Sequence, residues 1–84
     1  MNNRIGVVGI VVTDRSKIIS RLNAILSDYA DIIVGRMGIP YREKNIFVIS
    51  LIVDGNTDDI GALTGKLGSL DYVVVKTALT PERD

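Results

Sequence analysis

One segment of the chain, residues 35–44, combines several side chains that can bind ligands. It contains three cations and an aromatic ring: Arg36, Tyr41, Arg42 and Lys44. Guanidinium groups form paired, charge-assisted hydrogen bonds with carboxylates and phosphates, and an ammonium group adds a point charge. The segment therefore predicts a site for a small anion or for a protein partner.

A simpler interpretation of the same segment stays open. Gly35 and Gly38 allow backbone geometries that are closed to other residues, so the chain can form a hairpin here. Ile39 and Pro40 would then contact a neighbouring subunit, and the cations would be solvated at the end of the hairpin.

The composition excludes several kinds of catalytic site. The chain has no histidine and no cysteine, which removes imidazole acid–base catalysis, thiolate nucleophiles and the usual zinc, nickel or copper ligands. Four aspartates near turns and helix starts are interpreted as capping residues and not as an acid–base pair: Asp14, Asp54, Asp58 and Asp59. We therefore expect no catalytic residue, no metal, no cofactor and no enzymatic activity.

Nucleic-acid binding is also disfavoured. Ten Lys and Arg residues balance ten Asp and Glu residues, and a neutral domain lacks the basic surface of a DNA- or RNA-binding protein. GxxG sequences occur at 35–38 and 65–68, but neither joins two predicted helices, as the RNA-gripping loop of a KH domain must. Gly6 and Gly9 lack the third glycine of a dinucleotide-binding fingerprint.

The pattern of apolar residues predicts six elements that position these side chains. Runs rich in Val and Ile predict strands at 4–12, 32–37, 46–53 and 72–79. Apolar residues at spacings of three and four predict two amphipathic helices, 18–29 and 60–70. Asp14 or Ser16 is the expected N-cap of the first helix, and Asn56 that of the second. A loop at 38–45, a turn at 54–55 and a frayed tail at 80–84 complete a single domain, 1–84.

The order βαββαβ is that of a ferredoxin-like α+β domain. Right-handed crossovers place both helices on one face of a four-stranded antiparallel sheet, with the first and third strands central. The second helix contains Gly61, Gly65 and Gly68, each costing about 1 kcal/mol relative to alanine. Close packing of this helix on the sheet or on a partner helix is the favoured explanation, and a small-ligand cleft is the alternative.

The face of the sheet without helices is predicted to be apolar and therefore covered by a second copy of the chain. Burying a large aliphatic side chain stabilises by roughly 1.5–3 kcal/mol, so about six of them carry ~10 kcal/mol. That is comparable with the whole stability of a small domain, about 5–15 kcal/mol. The chain is expected to form a homodimer or homotetramer through Val7, Gly9, Val11, Val48, Ser50, Ile52 and Val74, with Ile39 and Pro40.

Four segments, 31–44, 53–55, 57–58 and 62–68, resemble the small bacterial family of iron-only hydrogenase system regulators. The likeness extends from Arg4 to about Ala78. It implies an ACT-like fold, similar to the C-terminal domain of nickel-responsive repressors, and an association with hydrogenase maturation genes. The members are regulators without an established activity.

The resemblance also bears on the sites. ACT domains often bind small molecules at subunit interfaces near the turn after the first strand, which adds Asp14 to the candidate ligand residues. Nickel sensing does not transfer, because those repressors use His and Cys ligands. Direct DNA binding is not expected, since only three residues precede the first predicted strand, where those repressors carry a DNA-binding arm.

We therefore expect a non-enzymatic, homo-oligomeric regulatory module of the iron-only hydrogenase system that acts through a small ligand or a protein partner. The alternative is a ligand-free adaptor that binds a hydrogenase-system protein through the hairpin. No apolar run reaches the roughly 20 residues of a transmembrane helix, so no membrane partner is expected. Without a recognisable signal sequence, the expected location is cytoplasmic.

Overall fold

The computed structural model describes residues 3–81 and has the predicted element order. These residues form four strands and two helices in the order βαββαβ: β1 Asn3–Val12, α1 Arg15–Asp28, β2 Ile33–Tyr41, β3 Ile46–Asn56, α2 Thr57–Gly68 and β4 Val73–Leu79. Short 3₁₀ turns lie at Ala30–Ile32 and Arg42–Lys44. The strands form one antiparallel sheet in the order β2-β3-β1-β4. The ferredoxin-like, ACT-like βαββαβ fold is thus confirmed, with β1 and β3 central.

The core lies between the helices and one face of the sheet. Alternate residues of the central strands enter it, and the helices add side chains at spacings of three and four, as periodicities of two and 3.6 require. The buried set is Val8, Ile10, Val12, Ile49, Leu51 and Val53 from the sheet and Ile18, Leu22, Leu26, Ile60, Leu63 and Leu67 from the helices.

The first half of the predicted loop at 38–45 is strand. Ile39 pairs with Val48 and Tyr41 with Ile46, so β2 continues to Tyr41 and only a short turn remains before β3. Pro40 is tolerated because β2 is an edge strand of the sheet. Gly38 is needed for close approach, since a Cβ there would lie 2.8 Å from the ring of Phe47.

The turn predicted at 54–55 is also wrong, because β3 runs straight on to Asn56. Gly55 pairs with Arg4 in the ladder. A Cβ at Gly55 would lie 3.0 Å from Cγ2 of Ile32. The glycine therefore makes room for the segment that follows α1 and does not turn the chain.

The tail predicted as frayed from Thr80 is held at its first residue. The Thr80 N–H donates to the Ile5 carbonyl at 2.9 Å, and the Ile5 N–H donates to Thr80 Oγ1 at 3.2 Å. These two bonds extend the β1–β4 pairing by one residue. The prediction for 82–84 lies outside the described residues.

The two helices begin differently. At α2, the Asp59 N–H donates to Asn56 Oδ1 at 2.7 Å, so the predicted cap is confirmed. At α1, Asp14 occupies the N-cap position, but its side chain accepts no capping hydrogen bond. Its carboxylate has other partners, described below.

The glycines of α2 do not pack closely within the chain. A Cβ added at Gly61, Gly65 or Gly68 would meet nothing within 4 Å beyond the helix itself. The part of the favoured prediction that has this helix backbone packing closely on the sheet is therefore wrong, and close packing on a partner helix stays a prediction. The three positions recur at spacings of four and three, away from the buried stripe of the helix.

Within residues 3–81, two residues other than glycine take a left-handed backbone conformation. Asn45, directly before β3, has φ of 54°, a conformation that asparagine adopts more readily than most residues. Tyr72, with φ of 67°, was not expected. Its carbonyl accepts hydrogen bonds from the Thr13 N–H at 2.7 Å and from Thr13 Oγ1 at 3.2 Å. These bonds hold the start of β4 against the end of β1.

Candidate functional site

The face of the sheet opposite the helices, called here the open face, is rich in aliphatic side chains. On the central strands, Val7 is 45% exposed, and Val48 and Ile52 are each 41% exposed. On the edge strand β2, Met37 and Ile39 are 61% and 55% exposed. Successive side chains of a strand point to opposite faces of the sheet. These side chains therefore lie on the open face, and their neighbours in sequence point into the core.

The ladder register arranges the open face in rows across the sheet. One row is Gly35, Ile52, Val7 and Ala78, and another is Ile39, Val48, Val11 and Val74. Met37, Ser50, Gly9 and Lys76 form the row between them. Two apolar rows therefore flank a central row whose middle positions are the small residues Ser50 and Gly9.

Among residues 3–81, no close contact requires a glycine at position 9. A Cβ there would meet only the Lys76 carbonyl oxygen, at an ordinary contact distance of 3.7 Å. Its φ is not positive. Glycine inside a strand is destabilising and often marks a place where another backbone approaches.

The predicted interface residues gather on this surface, with one exception. Val7, Gly9, Val11, Val48, Ser50, Ile52, Val74 and Ile39 all take open-face positions in the register. Pro40 pairs with Phe47, which packs against the core. Pro40 therefore belongs to the opposite side of β2 and is not part of the open face.

A shallow apolar depression of about 320 Å³ lies at one end of the open face. Its walls come from three neighbouring strands: Ile5, Gly6, Val7, Ile52, Ala78, Leu79 and the following Thr80. It offers a recess for an aliphatic side chain that approaches the sheet from outside.

The four residues predicted as one anion or partner site are separated by the pleat of β2. Arg36 pairs with the buried Leu51 and so lies on the helix side of the sheet, whereas Tyr41 lies on the open face opposite Ile46. Arg42 and Lys44 belong to the turn that follows β2. The Lys44 Nζ lies 5.9 Å from the centre of the Tyr41 ring, a cation–π distance.

Asp14 connects the start of α1 to the turn between β2 and β3. Its Oδ1 accepts hydrogen bonds from Ser16 Oγ at 2.8 Å and from Asn45 Nδ2 at 3.2 Å. The hydrogen bond from Ser16, with smaller contributions from Asn45 and the charge of Lys17, lowers the pKa of the Asp14 carboxyl below its ordinary value of 3.8. Asp14 thus has a structural function at the place where the sequence predicted a ligand residue.

A groove of about 610 Å³ lies between the last turns of α1 and the start of β2. Eight residues line it: Asn23, Leu26, Ser27, Ala30, Ile33, Val34, Gly35 and Arg36. Of these eight, only Arg36 was predicted from the sequence to be a ligand-binding residue. The polar residues Asn23 and Ser27 lie four apart on α1, a spacing that places both on one helix face and that could have signalled them.

Two features are absent from residues 3–81: a cluster of metal-ligating side chains and a membrane-spanning helix. Within this range, no group of three or more His, Cys, Asp or Glu side chains is placed to hold a metal ion. Over the same residues, no helix combines the length and apolarity needed to cross a membrane.

The two-layer arrangement defines the chain as an ACT-like domain of the ferredoxin-like class. The family model described as "Iron-only hydrogenase system regulator, putative", a family also named TM1266-like, matches residues 4–77. The chain belongs to this family. No curated protein matches the chain.

Solved structures agree with this assignment. The uncharacterised protein TM1266 from Thermotoga maritima is 40% identical, with a TM-score of 0.88, over 92% of this chain and 96% of that one. A structure described as a "putative glycine cleavage system transcriptional repressor" is 16% identical, with a TM-score of 0.69. It matches 98% of this chain but only 48% of its own. A protein of unknown function from Galdieria sulphuraria is 17% identical, with a TM-score of 0.68, and again 98% of this chain matches 48% of that one. At these identities, the last two show a common fold alone.

Proposed function

We propose that this chain is a non-enzymatic regulatory module of the iron-only hydrogenase system that works as a homo-oligomer and responds to a small ligand or a protein partner. Membership of the regulator family supports the system and the regulatory class. The apolar open face is the single observation that carries the homo-oligomer.

Energetics favour covering the open face. Its aliphatic side chains are already about half-buried by their neighbours, so removing the remaining exposure stabilises by roughly 1 kcal/mol for each one. With the seven aliphatic residues of the two apolar rows and Met37, the total is of the order of the stability of a small domain. A second copy of the same face is the simplest cover, because it is equally apolar.

The small residues at the middle of the open face fit this arrangement. Packed sheets lie about 10 Å apart with interdigitated side chains. Gly9 and Ser50, neighbours in the register, leave space between the two apolar rows. Larger side chains from a second copy would fill that space, and the depression beside Ile5 and Leu79 would accept another.

The test is the mass of the particle in solution, measured by light scattering over a range of protein concentrations. The natural chain, with a mass of 9.1 kDa, is expected to scatter as a dimer or tetramer. Val48→Asp, which places a carboxylate in an apolar row, is expected to give a folded monomer, because a buried unpaired charge is strongly destabilising.

Ala24→Asp is the matched control. Ala24 is exposed on α1, and this helix packs on the side of the sheet opposite the open face. This variant should leave the mass unchanged. A natural chain that is monomeric at micromolar concentration and still folded by circular dichroism would contradict the proposal. So would a Val48→Asp variant that keeps the natural mass.

An adaptor without a ligand is the second candidate. All three residues of the turn Arg42–Lys44 are exposed, and two of them are cations. Such a turn is suited to bind an acidic protein surface. Capture of a hydrogenase-system protein that survives Arg36→Gln but is lost in an Arg42→Gln, Lys44→Gln variant would favour the adaptor.

A further inference from the structure

We propose that the groove between α1 and β2 binds a small aliphatic carboxylate, with the acid group on Arg36 and the aliphatic body against Leu26 and Ile33. The inference rests on the proposed function, because it names the ligand class and the site for a module that responds to a small molecule. The site lies on the helix side of the edge strand and shares only Gly35 with the rows of the open face.

The groove combines an apolar floor with a few polar groups, as small-molecule sites generally do. Leu26 is buried and Ile33 half-buried, and both belong to the groove lining. Asn23 and Ser27 are exposed on the α1 wall, with side chains able to donate and to accept hydrogen bonds. The volume of about 610 Å³ falls within the usual range for small-molecule sites.

The β2 wall is shaped by a local irregularity. The ladder with β3 shifts register between Ile33 and Gly35, so a bulge lies where the strand borders the groove. Bulges bend a strand and redirect its side chains, and they are frequent beside functional sites. Gly35 and Arg36 follow this irregularity directly, and both line the groove.

The charge of the groove selects an anion. Arg36 is the one charged residue among the eight that line it. Among residues 3–81, no carboxylate lies within ion-pair distance of the Arg36 guanidinium. A guanidinium with no carboxylate partner among residues 3–81 can donate paired, charge-assisted hydrogen bonds to a ligand carboxylate.

The ligand is expected to carry a single acid group and a short aliphatic body. One cation matches one carboxylate, and no second cation borders the groove to accept another. Asp28 and Asp31 flank the lining residues in sequence, which disfavours ligands with several negative charges. Hexanoate is a simple probe of this class, and hexanamide is the neutral molecule of nearly the same shape.

The experiment is a titration of the full-length chain with hexanoate and, separately, with hexanamide, followed by amide nuclear magnetic resonance shifts. Hexanoate is expected to shift the amides of Ser27, Val34 and Arg36 with half-saturation below about 20 mM. Hexanamide should bind at least about tenfold more weakly. Arg36→Gln should weaken hexanoate binding about tenfold or more, the effect of losing a charge-assisted hydrogen bond.

Arg21→Gln is the matched control, because it removes one positive charge from an exposed position on α1 outside the groove. It should bind hexanoate as the natural chain does. The proposal is overturned by the absence of saturable shifts, by shifts confined to the open face, by hexanamide binding as tightly as hexanoate, or by an Arg36→Gln variant with natural affinity.

Light scattering on the same samples separates this inference from the proposed function. A groove that fails to bind in a protein that remains a homo-oligomer overturns the carboxylate site alone. A monomeric natural chain that binds hexanoate in the groove overturns the homo-oligomer and keeps the site.

Discussion

The two faces of the sheet are built from the same strands and the same kinds of side chain, yet only one is covered within the chain. In β3, Leu51 is 0% exposed, whereas its neighbour Ile52 is 41% exposed. In β1, Val8 is 0% exposed and Val7 is 45% exposed. The apolar character of a strand therefore does not decide burial, because burial depends on whether a second layer packs on that face.

The difference between the faces separates residues that stabilise the fold from residues available for assembly. Side chains under the helices are closely packed by atoms of their own chain. Side chains on the open face keep unused apolar surface, which an oligomer can bury. Substitutions on the two faces should consequently change different measurable quantities.

The largest effect is expected from truncating the covered face. Leu51→Ala should lower the free energy of unfolding by about 2–5 kcal/mol, because it removes packed atoms and leaves a cavity. Ile52→Ala, one residue along, should cost less and should move the monomer–oligomer transition to higher protein concentration. Denaturant unfolding and sedimentation measure the two quantities. If Leu51→Ala and Ile52→Ala lower the free energy of unfolding equally and neither changes association, the distinction between the two faces is contradicted.

The two glycines of β1 provide a second comparison, in which the expected effects are of intermediate size. A Cβ on Gly6 would overlap Leu79 Cδ2 and lie 2.9 Å from the Ala78 carbonyl oxygen, so Gly6→Ala should cost about 1–3 kcal/mol of unfolding free energy. Gly9→Ala introduces only an ordinary contact within the chain. It should keep the unfolding free energy of a monomeric variant, such as Val48→Asp, and should weaken association of the natural chain. A Gly9→Ala chain that associates as tightly as the natural one would show that no second sheet approaches this position.

The smallest effect is expected at the end of the sheet, where Asp14 connects the covered side to the hairpin turn. The pKa of its carboxyl is lowered in the folded chain, chiefly by the hydrogen bond from Ser16. The unfolded chain therefore binds the proton more readily, and the stabilisation is present above pH 3.8 and is lost as the pH falls below it.

Asp14→Asn tests this pH dependence. It should lower the melting temperature slightly at neutral pH, and it should reduce the loss of stability on acidification. Thermal unfolding followed at several pH values measures both effects. Ser20→Ala, an exposed change on the same helix, should keep the natural acid response. An unaltered acid response in Asp14→Asn would show that the carboxylate makes no net contribution to the fold.

The element order, the core and the apolar open face could all be predicted from local patterns. Alternation in β1 and β3 separated the two faces correctly, because the side-chain period of a strand is independent of what packs on it. The α2 cap at Asn56 was equally local, since it depends on residues three apart. Family membership was recognisable from segments such as 31–44 because their residues are specific.

Other features depended on contacts between distant residues. The sequence at 38–41 has turn-forming residues, but pairing with β3 keeps it extended. Gly38 and Gly55 were interpreted as turn residues, whereas they make room for Phe47 and Ile32. Residues adjacent in sequence, such as those around Arg36 and Tyr41, were grouped in one site, although the strand pleat places them on opposite faces.

The sequence by itself determined which residues are apolar and with what period, and hence the secondary structure, the core and the existence of a second apolar face. Only the tertiary structure decided which polar residues come together: Asp14 with Asn45, 31 positions later in the sequence, and Arg36 with Asn23 and Ser27 in the lining of one groove. The physical reason is that periodicity is a property of neighbouring residues along the chain. A binding site is formed by side chains that come together only after the sheet has paired and the helices have packed on it.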